Sequence, residues 1–148
     1  MIDRVGAVML LRRDGAALLQ HRDDKLGLRH ACMWVPPGGQ AELGESMLDC
    51  ARRELREETE YDASDLRFLL SCDDTVEGWP AYRLTIFWCW YDGIQPVICH
   101  EGQALAFIER MMAANYAIPA YLLNAWDAAL AAGGATTESL QPVTNNNG

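Results

Sequence analysis

The chain has 148 residues, half of them hydrophobic, and a formal net charge of −9. That length supports one sizeable core, expected as a single domain over residues 1–133 with a frayed polar tail at 134–148. The acidity argues against binding a nucleic-acid polymer or an anionic membrane surface, since both need basic patches. The apolar run from Val5 to Leu11 is too short to span a bilayer and ends in Arg12-Arg13, so no signal peptide or anchor is expected. Five cysteines show no Cys-x-x-Cys spacing and the three histidines are dispersed. A structural zinc site is therefore not expected. Most of the thiols should be small core hydrophobes in a reducing compartment, the cytoplasm by default. Oligomeric state is not legible.

In chain order, Arg4 to Leu11 reads as a buried strand. Asp14-Gly15 signals a turn into a second strand, Ala17 to Arg22. Residues 23–33 read as a loop, and Trp34-Val35-Pro36-Pro37-Gly38-Gly39 as a turn. A helix follows, with Ser46 as its N-cap and Asp49 three residues on in a capping-box arrangement. Met47, Ala51 and Leu55, with Leu48 beside them, form its apolar stripe. A strand is expected from Leu66 to Cys72, then a loop to Pro80. Tyr82 to Tyr91 is apolar at both alternating positions, the pattern of a central strand covered on both faces. Ala104 to Ile108 reads as a further strand, and Pro119 as the first turn of a closing helix that carries Tyr121, Leu122, Ala125, Trp126 and Leu130. This order of elements suggests an α/β/α sandwich on a mixed β-sheet.

The first helix carries the chemistry. Glu54, Glu57 and Glu58 stand at i, i+3 and i+4, so their carboxylates share one helix face. Such a group is either a solvated acidic surface or a site for a hard divalent cation, since Mg²⁺ takes carboxylate oxygens together with water and phosphate. The Gly38-Gly39 turn just ahead favours the cation, because glycines let backbone approach an ion or phosphate closely.

From Gly39 to Tyr61 the spacing is Gly39, five residues, Glu45, seven residues, then Arg53-Glu54-Leu55-Arg56-Glu57-Glu58-Thr59-Glu60-Tyr61. This resembles the Nudix box, with every charged position filled; the departures are Glu60 in place of glycine and Tyr61 in place of an aliphatic residue. The resemblance implies the Nudix α/β/α fold and Mg²⁺-dependent hydrolysis, with Mn²⁺ as a possible substitute, of a nucleoside diphosphate linked to a group X. It implies that Glu54, Glu57, Glu58 and the Gly38 carbonyl bind metal, and that Arg53 orients neighbouring carboxylates. Glu45 is expected to support the loop or a metal-bound water.

Beyond the box the chain is most similar to MutT-like nucleoside triphosphate pyrophosphohydrolases. That likeness implies a (deoxy)nucleoside triphosphate split to monophosphate and pyrophosphate, with no partner beyond this small nucleotide. It places Arg22 on substrate phosphate and brings Glu101, in Glu101-Gly102-Gln103, near the metals and the water. Glu101 or a box glutamate is then the general base. Where those enzymes read an oxidised guanine with an asparagine after Pro-Ala, this chain has Tyr121 after Pro119-Ala120, and Tyr82 replaces a phosphate-contacting arginine, with Arg83 beside it. Specificity for the oxidised base therefore does not carry over, while Trp34, Trp79, Tyr82 and Tyr121 are candidates for stacking on substrate. A nucleotide-sugar hydrolase and a nucleotide-sensing domain without turnover are the alternatives. Either Glu60 takes the strained left-handed conformation that the family's glycine adopts, or the helix runs on through Thr59 and Glu60 and ends near Tyr61-Asp62; the second is favoured, because Glu is a good helix former and Asp62 tolerates a left-handed turn.

Overall fold

A computed structural model of the chain describes residues 3–134, so the tail expected at the C-terminus lies, but for Gly134, outside the described residues. The elements run β1 (Asp3–Leu11), β2 (Ala17–His21), β3 (Trp34–Val35), β4 (Gly38–Gln40), α1 (Met47–Thr59), β5 (Arg67–Asp74), β6 (Tyr82–Trp90), β7 (Ala104–Ile108) and α2 (Leu122–Ala132). A 3₁₀ helix at Arg110–Asn115, which the sequence reading had not anticipated, precedes α2. β1 and β6 pair in parallel along their whole length, from Asp3↔Tyr82 to Leu11↔Trp90. All other pairings are antiparallel: β5 on β6, β4 on the first half of β1, β2 on its last residue, and β3 and β7 on β2. The sheet is mixed.

Period-two alternation builds two cores. Ala7, Met9 and Leu11 of β1 and Leu84, Ile86 and Trp88 of β6 face α2, where Leu122, Ala125, Trp126 and Leu130 meet them. Val8 and Leu10 with Phe87 and Cys89 point the other way, onto Ala51 and Leu55 of α1. The α/β/α sandwich expected from sequence is the fold found, and β6 is covered on both faces. Trp126 is fully buried and donates its indole N–H to the Gly15 carbonyl at 2.9 Å, tying α2 to the β1–β2 turn. Among the described residues no helix is long and apolar enough to cross a membrane.

Several local expectations are corrected. The Trp34–Gly39 turn contains two short strands, because Gly38 lies against β1; a Cβ at that position would collide with the Gly6 carbonyl and with Ala7. Leu48 is 43% exposed, and Cys50 takes its place on the buried face of α1. Pro119 lies just ahead of α2, accepting the Leu122 N–H on its carbonyl at 3.1 Å. Cys50 and Cys89 are buried and Cys72 partly so, but Cys32 and Cys99 are exposed; all five thiols are free.

The most informative correction is at the end of α1. The Ser46 cap forms as expected, its Oγ accepting the Asp49 N–H at 3.1 Å. The helix does not run on: it stops at Thr59, and Glu60 is a left-handed cap at φ 65, its N–H donating to the Arg56 carbonyl at 2.8 Å. Tertiary burial overrides helix propensity here. Thr59 is buried, donating from Oγ1 to the Leu55 carbonyl at 2.7 Å and accepting the Tyr61 N–H at 3.1 Å. Tyr61 and Ala63 must then turn inward to the core under α1, which a continuing helix would not allow.

Candidate active site

Arg53 is the hub of the acidic helix. Its guanidinium meets Glu45 through two bonds, Nε to Oε2 at 2.8 Å and Nη2 to Oε1 at 2.9 Å. Nη1 donates to Glu54 at 2.9 Å and to Glu57 at 3.1 Å, and Nη2 also reaches the Gln40 carbonyl at 3.2 Å. One planar fork thus aligns three carboxylates and the strand that carries the glycines. The bonds from Arg53 hold the Glu45 carboxyl down to about 2, and Glu45 in turn holds the Arg53 guanidinium firmly charged. Glu45 also accepts the Glu42 N–H at 3.0 Å, which braces the loop into α1.

Glu54 and Glu58 point from α1 toward the glycines of β4. Gly39 is pressed against the Glu54 carboxyl so closely that any Cβ would overlap it. Glu58 is 5% exposed and accepts the Gly38 N–H at 3.1 Å. Burial, then a hydrogen bond and repulsion from Glu101, push the Glu58 carboxyl up to about 9. Glu54 is raised as well, by burial foremost, with Arg53 pulling against it. Glu101 comes from the loop before β7, anchored where Gln20 Nε2 donates to its backbone carbonyl at 2.9 Å. Gly38, Glu54, Glu58 and Glu101 line one cleft of about 440 Å³.

Glu57 does not line that cleft; it is 57% exposed and leans on Arg53. Among the described residues, no three acidic, histidine or cysteine side chains are drawn together into a metal cage. Mutual repulsion accounts for this: Glu54 and Glu57 turn to Arg53, and Glu58 relieves its charge against Gly38 and Glu101. The donor set nonetheless fits a hard divalent cation. It consists of oxygens alone, and Glu58 and Glu101 hold carboxyls so close that only a shared proton or a cation relieves them.

Of the residues expected to meet substrate, Arg22, Tyr82 and Tyr121 all line the same cleft, as does Trp79. Trp34 does not: it stacks on His21 at 4.7 Å and meets Tyr116 edge-on at 5.4 Å, so it is a packing aromatic. Arg83 is paired with Asp73 at 2.6 Å and lies outside the cleft lining. His100 pairs with Glu60 at 2.9 Å.

Sequence reasoning missed a buried group at the far end of the cleft. Arg29, 5% exposed, pairs with Asp74 at 3.3 Å and also donates to the carbonyls of Asp74 and Pro80. Its guanidinium lies 4.1 Å from the centre of the Tyr82 ring. His30 Nε2 meets the same Asp74 carboxylate at 2.8 Å. These contacts tie the loop at 23–33 to the end of β5 and the loop after it. The sequence offered no signal, because the partners stand 44 and 45 residues apart.

A NUDIX domain profile matches residues 2–128. The chain belongs to the Nudix family. Over 53 residues, 36% of its length, this Nudix domain is 43% identical to the m7GpppN-mRNA hydrolase NUDT17 of Xenopus laevis, and the match spans 18% of that relative. Among solved structures it resembles the Escherichia coli ORF135 protein, with a TM-score of 0.67 and 27% identity over 89% of this chain and 92% of that one. It also shares the fold of the MutT protein from Methanosarcina mazei, with a TM-score of 0.73 and 17% identity over 84% of this chain and 90% of that one. The Nudix box is the stretch that forms α1 and the β4 glycines.

Proposed function

We propose that this Nudix domain hydrolyses a nucleoside diphosphate linked to a group X, with a (deoxy)nucleoside triphosphate giving monophosphate and pyrophosphate as the substrate class. The observation that carries this is the buried Glu58 carboxyl beside Glu101, at the glycine floor of a cleft that also holds Arg22, Tyr82 and Tyr121. A bound Mg²⁺, or Mn²⁺ in its place, supplies neutralisation of charge on the bridging oxygens and a more acidic water. The Gly38 carbonyl, Glu54 and Glu58 would hold it from the cleft, with Glu57 turning in from its exposed position beside it; Arg53 keeps Glu54 and Glu57 aligned, and the Gly38 N–H holds Glu58. Glu101 accepts the proton of the attacking water, whose oxygen bonds to phosphorus as the P–O–P bridge breaks and pyrophosphate leaves. Arg22 holds phosphate, while Tyr82 and Tyr121 flank the nucleoside end.

A purely sensing domain is disfavoured because every carboxylate of the box is present and engaged. Five free thiols fit a reducing, cytoplasmic setting. Release of pyrophosphate, or of phosphate once a phosphatase has acted on the monoester products, from a panel of triphosphates, nucleotide sugars and dinucleotides with Mg²⁺ tests the reading. Turnover of nucleotide sugars with none of the triphosphates would replace the substrate class, and binding without turnover of any would replace catalysis with sensing.

A further inference from the structure

β2 carries an amide where its pattern calls for an apolar side chain. Along Ala17-Leu18-Leu19-Gln20 the side chains alternate, Ala17 and Leu19 entering the core under α2 and Leu18 the core under α1. Gln20 therefore faces the α1 side, and it is 5% exposed. A glutamine buried to that degree is costly unless both ends of its amide are paired. Only one is. Nε2 donates to the Glu101 carbonyl at 2.9 Å, and because a carbonyl can only accept, this bond fixes which end of the amide is the nitrogen. Oε1 has no partner among the described residues. No unpartnered side-chain nitrogen or oxygen among them is buried, so Oε1 opens into the space that Gln20 lines.

Gln20 borders both the main cleft and a recess of about 110 Å³ beside it, and so do Arg22 and Glu101. The segment that carries Glu101 is already pinned on two sides by its own backbone. The Gln103 N–H donates to the His21 carbonyl at 2.7 Å, and the His100 N–H to the Glu58 carbonyl at 3.0 Å. Between them Gly102, at φ 81, lies so close to β2 that a Cβ would collide with the His21 carbonyl and come within 3.1 Å of Gln20 Cγ. Anchoring alone therefore does not account for a half-paired amide at this position. Carboxylate and phosphate oxygens are acceptors and are repelled by an amide oxygen, so the group that Oε1 takes must bring a proton. Arg22 and Lys25 border the recess, and neither donates to Oε1.

Resting on the hydrolytic reading of the cleft, we propose that Gln20 is a further catalytic residue: Nε2 holds the Glu101 main chain while Oε1 accepts a hydrogen bond from the attacking water. That water has two protons to place. Glu101 removes one as the oxygen bonds to phosphorus and the P–O–P bridge breaks. The other stays on the oxygen, which becomes the new P–OH, and points at Gln20 throughout. Fixing both protons aims the free lone pair at phosphorus, an orientation that sets the rate of turnover and not the strength of binding.

Crystals of the wild-type protein grown with Mg²⁺ should hold a water within about 2.6–3.2 Å of both Gln20 Oε1 and a Glu101 carboxylate oxygen. No water at that position, or Mg²⁺ itself at about 2.0–2.1 Å from Oε1, overturns the proposal. Gln20→Met keeps the length of the side chain and removes both ends of the amide. On whichever nucleotide proves to be a substrate, its kcat should fall about tenfold with KM within about twofold of wild type. Its crystals should lack the water while Glu101 keeps its place. An unchanged kcat overturns the proposal, and so does a fall accompanied by a displaced Glu101, which makes the loss one of anchoring. If Gln20→Met does not fold, the wild-type water position decides alone. The two readings fail separately. A bridging water in a protein that turns over no nucleotide refutes the enzymatic reading, whereas turnover without the bridging water refutes the role of Gln20 alone.

Discussion

Glu60 offers the cleanest test of how α1 ends. At φ 65 a side chain with a Cβ is strained by about 1–2 kcal/mol relative to an ordinary helical conformation. Glycine removes that strain but gives the unfolded chain more freedom, which offsets about 0.4–1 kcal/mol. The Glu60–His100 pair complicates a direct comparison, although both side chains are about half exposed and such a pair is worth under about 1 kcal/mol. Comparing Glu60→Gly with Glu60→Ala removes the complication, because neither variant keeps the pair. The difference left is backbone strain less unfolded-state entropy, about 0.8 kcal/mol at mid-range in favour of glycine. In a chain of this size it corresponds to a melting temperature higher by about 1–4 °C. Thermal and urea denaturation of the two variants measure it. An alanine variant as stable as the glycine variant would refute the left-handed cap and restore the continuous helix expected from propensity. Both variants should keep turnover, since Glu60 does not line the cleft.

Glu58→Gln should lower Mg²⁺-dependent turnover by at least about 100-fold in a folded protein, as even outer supports of a metal site reach that scale. Because burial raises the Glu58 carboxyl from 4.5 to about 9, its contribution to metal-free stability is full below pH 4.5 and is lost as pH rises toward 9, by at most about 1.4 kcal/mol per pH unit. Glutamine abolishes that decline, so metal-free Glu58→Gln should out-melt the wild-type protein near pH 8 and lose stability less steeply across this window; identical pH profiles would show that Glu58 is not a buried acid. Gly39→Ala should drive a methyl into the Glu54 carboxyl and abolish most activity, and a crystal structure with Glu54 undisturbed would contradict the close approach. Asp74→Asn should destabilise by about 3 kcal/mol by leaving Arg29 buried without its anion. The depressed Asp74 carboxyl contributes stability above its ordinary value near 3.8 that is lost as pH falls through its folded value, so the gap between Asp74→Asn and wild type should close in acid denaturation below about pH 4.

What the sequence determined by itself was whatever a few neighbouring residues encode. The Ser46 cap, the carboxylate face of α1 and the doubly apolar β6 all follow from periods of 3.6 or 2 read within one segment. The box spacing singled out Gly39 and Glu54 without saying that they meet; in the fold they press together as backbone against carboxyl. Only the tertiary structure decided what each of those glutamates became. On one helix face Glu58 is buried to the point of protonation while Glu57 stays in water, because β4 and the Glu101 loop cover one and not the other. Glu60 turned left-handed against its own propensity, since the burial of Tyr61 and Ala63 outweighs a strain of about 1–2 kcal/mol. The Arg29–Asp74–His30 group was invisible for the same reason. Each of those side chains reads as a surface charge within its own segment, and only the fold, by closing two loops over a cleft, removes the water that would have made it one.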